Sequence, residues 1–155
     1  MRWPSRATTA DPQLDLRGSC RRVFTVRTEP AAVRQARACT QATLTEWEVA
    51  RGSALVDAVL LVVSELVTNV VRHAGDRSPT VDVLIAVDCD ALMVGVADRD
   101  PRIPPTTREE AGEGLRSVVD LAQLYGGGVT VAPVQEGRGK VVFVHFRCPT
   151  VLTGD

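Results

Sequence analysis

Residues 60–75, LLVVSELVTNVVRHAG, constrain this chain more than any other stretch. Leu60, Val63, Leu66, Val67, Val70 and Val71 fill most of a helical circumference. A helix that is apolar on most sides has to be largely buried. Yet its second half carries Glu65, Asn69, Arg72 and His73. At about 100° per residue, Glu65 and Asn69 stand one turn apart on one face, and Arg72 and His73 follow them. Such a stripe either meets solvent, as on most surface helices, or lines a cleft. The residue types favour the cleft. A carboxylate can orient a hydroxyl, a neutral amide can offer oxygen to a hard cation, and an arginine can meet phosphate.

Around this helix the chain alternates short apolar strands with helical periods. Residues 1–19 mix Pro, Thr, Asp and Arg without periodicity, which predicts a flexible tail. Arg22 to Val26 alternates as a strand. Val33, Ala36, Thr40, Leu44 and Trp47 follow Pro30 at helical spacing. Gly52-Ser53 breaks that pattern, with Ser53 as the cap of the long helix and Gly75 after its end. Residues 80–88 and 91–98 read as paired strands joined by a turn at Cys89-Asp90. From Arg99 to Ala111 the chain is polar and proline-containing, a loop long enough to suggest a role. A third helix over 115–124 ends at Gly126-Gly127-Gly128. A hairpin over 129–132 and 141–146, turning at Gln135–Gly139, completes an α/β sandwich whose sheet is at least partly antiparallel.

Length and charge narrow the function. A chain of 155 residues has room for one domain, and at that size folding buries roughly 70% of the unfolded surface. The layout expected is a tail at 1–19, one domain over 20–148 and a short tail over 149–155. A net charge of -1 gives no electrostatic reason for a nucleic-acid or membrane partner. Cys20, Cys39, Cys89 and Cys148 have no C-x-x-C spacing and read as small thiols in a reducing cytoplasm. Asp57, Glu65, Asn69 and Arg72 interrupt the long helix, which argues against a membrane span and for a cytoplasmic protein.

Three further local signals bear on chemistry. Asp98 ends a strand; it either forms the turn or accepts a hydrogen bond from an exocyclic amine such as that of adenine. Gly112-x-Gly114 opens a helix, where free backbone amides can approach phosphate at the positive helix end. Gly137-Arg138-Gly139-Lys140 resembles a phosphate loop but fails the pattern. Val134 stands where the first glycine belongs, and Val141 follows the lysine in place of Ser or Thr. It reads as a hairpin turn.

In this order, E-L-V-T-N…R-H-A over 65–74, V-A-D-x-x-P over 96–101 and G-x-G-L over 112–115 resemble the N, first-glycine and second-glycine boxes of the Bergerat-fold (histidine-kinase-like) ATPase superfamily. Within it the chain resembles the small anti-sigma-factor serine/threonine kinases of Gram-positive bacteria, over roughly residues 20–147. The resemblance implies a two-layer sandwich, with a mixed, largely antiparallel sheet and helices on one face, that binds ATP and Mg²⁺. It implies Glu65 as general base, Asn69 as Mg²⁺ ligand, and Arg72 as a phosphate contact. His73 would lie near ribose and base or, equally, in the core. Asp98 would bind the adenine amine, and Gly112, Gly114 and Leu115 would close on the phosphates beneath a lid over 99–111, with Arg108 as its candidate phosphate contact. Asp100 and Arg102 occupy positions where the family has glycine, and Val141 the place of a threonine near the adenine. The implied partners are a sigma factor and an anti-sigma-factor antagonist, and a homodimer is expected on the same ground. No phosphoacceptor helix accompanies the boxes, and His73 and His145 are the only histidines, which argues against a sensor-kinase fragment.

Overall fold

The computed structural model describes residues 20–49, 53–88, 90–134 and 138–147. The expected tails, the break at Gly52 and the turn residues Cys89 and 135–137 lie outside them. Along the chain run β1 (Cys20–Arg27), α1 (Ala32–Glu46), α2 (Ala54–His73), β2 (Thr80–Val87), β3 (Ala91–Asp98), α3 (Glu113–Leu124), β4 (Gly128–Pro133) and β5 (Lys140–Arg147). The strands form one sheet in the order β1-β2-β3-β5-β4. The sheet corrects one expectation, because it is not mixed: every pairing is antiparallel. A crossover through a single helix, β3–α3–β4, does carry β4 in the same direction as β3, which is the usual source of a parallel pair. Here β5 lies between the two and runs against both.

Period-2 alternation assigns the sheet's inner face. Val81, Val83, Ile85 and Val87 on β2 align with Val96, Val94 and Leu92 on β3, and those with Val142, Val144 and Phe146 on β5. All of them belong to one buried cluster with the helices. Arg22 on β1 fastens α1 at the edge. It pairs with Glu46 (Nη1–Oε2 2.6 Å) and lies 5.4 Å from the Trp47 ring centroid.

The central helix is α2. Ser53 caps it by accepting the Val56 amide at 3.4 Å; Asp57 lies in its first turn and Arg72 and His73 in its last, each complementing the helix dipole. Its valines are only middling helix formers, so burial holds it more than propensity does. Leu55, Val59, Val62, Val63, Leu66, Val67 and Val70 are all buried against the sheet and the neighbouring helices. Each such side chain contributes about 1.5–3 kcal/mol. Length and apolarity alone would suit a membrane span, but this packing explains them as those of a core helix.

Phe146 is fully buried on β5 and meets Tyr125 edge-on, with ring centroids 5.7 Å apart. Phe146→Ala is expected to lower unfolding free energy by about 3–5 kcal/mol in denaturant titration. Leu124→Ala, at a position 76% exposed, should change it by less than about 0.5 kcal/mol.

Candidate functional site

The helices leave one end of the inner face uncovered. A cavity of about 490 Å³ opens there, between the last turns of α2, the loop after β3 and the first turn of α3. That volume suits a nucleotide-sized ligand. Asn69, Arg72 and His73 line it from α2, Asp98 and Lys140 from the ends of β3 and β5, and Gly112, Gly114 and Leu115 from α3. Helical spacing on α2 and strand alternation on β3 thus deliver polar groups to one place from opposite sides.

Individual placements follow. Asn69 is half-buried, and Arg72 and His73 are exposed, so His73 stands at the rim and not in the core. Glu65 is half-buried and lies just outside the lining, its Oε2 so close to Gly114 that a Cβ there would collide with it. That oxygen ends a flexible side chain that can swing aside, so the contact sets Glu65 against the first turn of α3 without making glycine obligatory there. Arg108 is not in the lining: its Nε donates to Asp120 Oδ1 at 2.9 Å, alongside α3. Val141 corrects another expectation. Alternation turns it to the sheet's other face, opposite Ala97, while its neighbours Lys140 and Val142 face the cavity. Whatever approaches the β5 side of the cavity meets Lys140 and not position 141.

The floor of the cavity is a buried charge cluster that completes the inner stripes of β3 and β5. Asp98 and Lys140 are register partners, with side chains 3% and 10% exposed. Lys140 Nζ donates to Asp98 Oδ1 at 3.0 Å and to the Asp100 carbonyl at 2.9 Å. The Asp100 amide also donates to Asp98 Oδ1, at 2.7 Å. Burial pushes the Asp98 carboxyl above its ordinary value, against the pull of Lys140 and that amide. The close approach of β5 needs Gly139: its φ is +157°, and a Cβ there would run into the Asp98 carbonyl.

Asp100 and Arg102, at the positions where glycines were expected, pair with each other. The Asp100 carboxylate accepts Arg102 Nε at 3.0 and 2.9 Å through its two oxygens, together with Nη2 and the Arg102 amide. Arg77 approaches the same carboxylate at 3.5 Å. Arg102 Nη2 also donates to the His73 carbonyl at 2.7 Å, tying the loop to the end of α2. The guanidinium holds the Asp100 carboxyl well below the usual carboxylate range.

At the far end of the cavity α3 begins at Gly112 with no side-chain cap. Its first-turn amides are the groups that anions satisfy at helix N-termini. With Arg72 nearby, this end suits phosphate. Among the described residues no group of three His, Cys, Asp or Glu could hold a metal ion. Asn69 offers the cavity a side-chain oxygen, the kind of single protein ligand that Mg²⁺ combines with waters and substrate phosphates.

An antiparallel sheet covered by helices on one face, with a cavity polar at its floor and amide-rich at its rim, defines a nucleotide-binding domain. Residues 26–139 match the family model of the histidine kinase-like ATPase domain. The chain belongs to this family, and it is an ATP-binding domain of that type.

Lys140, Asp100 and Arg102 are the site residues that motif reading underrated. The signal for Lys140 was available: it is the only lysine, and it opens a strand whose other inward positions, Val142, Val144 and Phe146, are apolar. Asp100→Asn should cost about 1–2 kcal/mol at neutral pH through weakened charged hydrogen bonds. Because the folded carboxyl titrates low, that contribution is complete above the ordinary value of about 3.9 and fades as pH falls below it. Thermal unfolding of both proteins from pH 7 down to pH ~2 should show their difference closing below pH ~4.

Proposed function

We propose that this chain is an ATP-dependent protein kinase that phosphorylates a serine or threonine of an anti-sigma-factor antagonist, and that it otherwise holds a sigma factor inactive. The observation that carries the reading is Glu65. It is a half-buried carboxylate one turn before Asn69, beside the first turn of α3. Its carboxylate is only half-buried and so stays within reach of a substrate hydroxyl, the position a general base requires. A module that only binds has no use for it.

The roles are those the resemblance implies, and the placement of the residues around the cavity supports them. Asp98 accepts from the base at the cavity floor. Arg72 and the first-turn amides of α3 hold phosphate oxygens. Asn69 would hold Mg²⁺, which when bound would supply charge neutralisation to the phosphates. Glu65 takes the proton of the acceptor hydroxyl as its oxygen bonds to the terminal phosphorus and the bond from that phosphorus to the bridging oxygen breaks, releasing ADP. The resemblance to anti-sigma-factor kinases supports the choice of protein substrate and of the sigma factor as second partner.

Titration calorimetry with ATP and Mg²⁺ tests the first half. Binding should weaken at least tenfold in Asn69→Ala, or about 1.4 kcal/mol. Transfer of labelled phosphate to a panel of purified anti-sigma-factor antagonists tests the second. Glu65→Ala should retain nucleotide and lose about 10²–10⁴-fold in rate. No binding at millimolar ATP would sink the kinase reading. Binding without transfer to any antagonist would leave sequestration alone.

A further inference from the structure

We propose that Lys140 is a second base-reading residue and that, with Asp98, it makes this cavity accept guanine nucleotides as well as adenine nucleotides. The inference rests on the nucleotide reading of the site and goes beyond it, to which base is held. It starts from hydrogen-bond counting at the cavity floor.

Asp98 Oδ1 is already used. It accepts from Lys140 Nζ at 3.0 Å and from the Asp100 amide at 2.7 Å. Oδ2 remains as an acceptor. The lysine ammonium has three protons, of which one goes to Asp98 Oδ1 and one to the Asp100 carbonyl at 2.9 Å. The third remains. Both side chains line the cavity while being nearly buried, so an acceptor and a cationic donor stand next to each other in a setting poor in water.

A purine meets this pair with its Watson–Crick edge. Adenine offers the N6 amine as donor and N1 as acceptor. Guanine offers O6 as acceptor and the N1 amide as donor. Each base therefore presents one donor beside one acceptor, in opposite order, and guanine satisfies the same two protein groups with its ring turned over, so that O6 faces the ammonium and N1–H faces Oδ2. A carboxylate standing alone would discriminate, because it would face guanine O6 as acceptor against acceptor. Specificity of that kind depends on a repulsive element. An ammonium within hydrogen-bond distance of the same carboxylate removes the repulsion and gives O6 a charge-assisted donor.

The geometry around Lys140 is also fixed, which a reading residue requires. Gly139 permits the close approach of β5 to the Asp98 carbonyl, and the register sets Lys140 directly opposite Asp98. Asp100, whose carbonyl anchors the ammonium, is itself immobilised by Arg102. Arg102 in turn is tied to α2 through the His73 carbonyl.

The test is titration of the full chain with ATP and with GTP, each with Mg²⁺, beside Lys140→Met. For the natural sequence the two dissociation constants should lie within about tenfold of each other. In Lys140→Met the ratio should move toward ATP by about tenfold or more, because O6 then faces the carboxylate unaided. The ratio cancels any general loss of affinity, and the comparison on the natural chain decides even if the variant folds poorly. ATP binding with GTP weaker by more than a hundredfold would overturn the proposal and leave the nucleotide site standing. So would a ratio that the variant leaves unchanged. Failure to bind either nucleotide would overturn the nucleotide reading itself, and this proposal with it.

Discussion

Burial of α2 against the inner face of the sheet is the interaction on which the rest of the structure depends. The helix supplies the centre of the core through its valines and leucines and one wall of the cavity through Asn69, Arg72 and His73. These two duties fall on the same twenty residues, so the site's geometry is set by core packing. Interiors packed at crystal-like density resist small displacements. Side chains on the last turns of α2 are therefore held at fixed positions relative to the strand ends beneath them, although the polar ones are themselves partly exposed. That is the preorganisation that a nucleotide site requires.

The second constraint is electrostatic. Four charged groups, Asp98, Asp100, Arg102 and Lys140, occupy the floor and near rim, and each is satisfied by another. Such clusters are costly to build, because desolvation opposes the mutual attraction. Asp98 reflects that cost in a carboxyl pushed upward by burial, and Asp100 the compensation, in one held low by a guanidinium. The cluster joins β3, β5, the loop and the end of α2 through hydrogen bonds and ion pairs. It takes the place of the glycines that the family pattern expects and makes the loop after β3 a fastened segment at its start.

Much of this was legible in the residues. Apolar period defined α2, α3 and each strand to within two or three positions, because burial of one face drives those elements. The three boxes brought out Asn69, Asp98 and the glycines, since polar residues at fixed offsets on buried elements have few other uses. What was not legible was pairing across the chain. Lys140 lies 42 positions from Asp98, and only strand order and register bring them together. The same cause hid the turning away of Val141 and produced the expectation of a mixed sheet, since local pattern does not tell that β5 inserts between β3 and β4. Arg108 shows a related limit: the family resemblance made it a lid candidate, whereas an exposed carboxylate on the next helix, Asp120, claims it.

Hydrogen–deuterium exchange with and without Mg²⁺-ATP tests the central claim most directly, because it asks where nucleotide binds without presuming any catalysis. The account predicts slowed exchange in the last two turns of α2, in residues 98–105 and in the first turn of α3, with α1 and β1 unchanged. Protection centred on α1 or β1, or no change anywhere at saturating nucleotide, would contradict it.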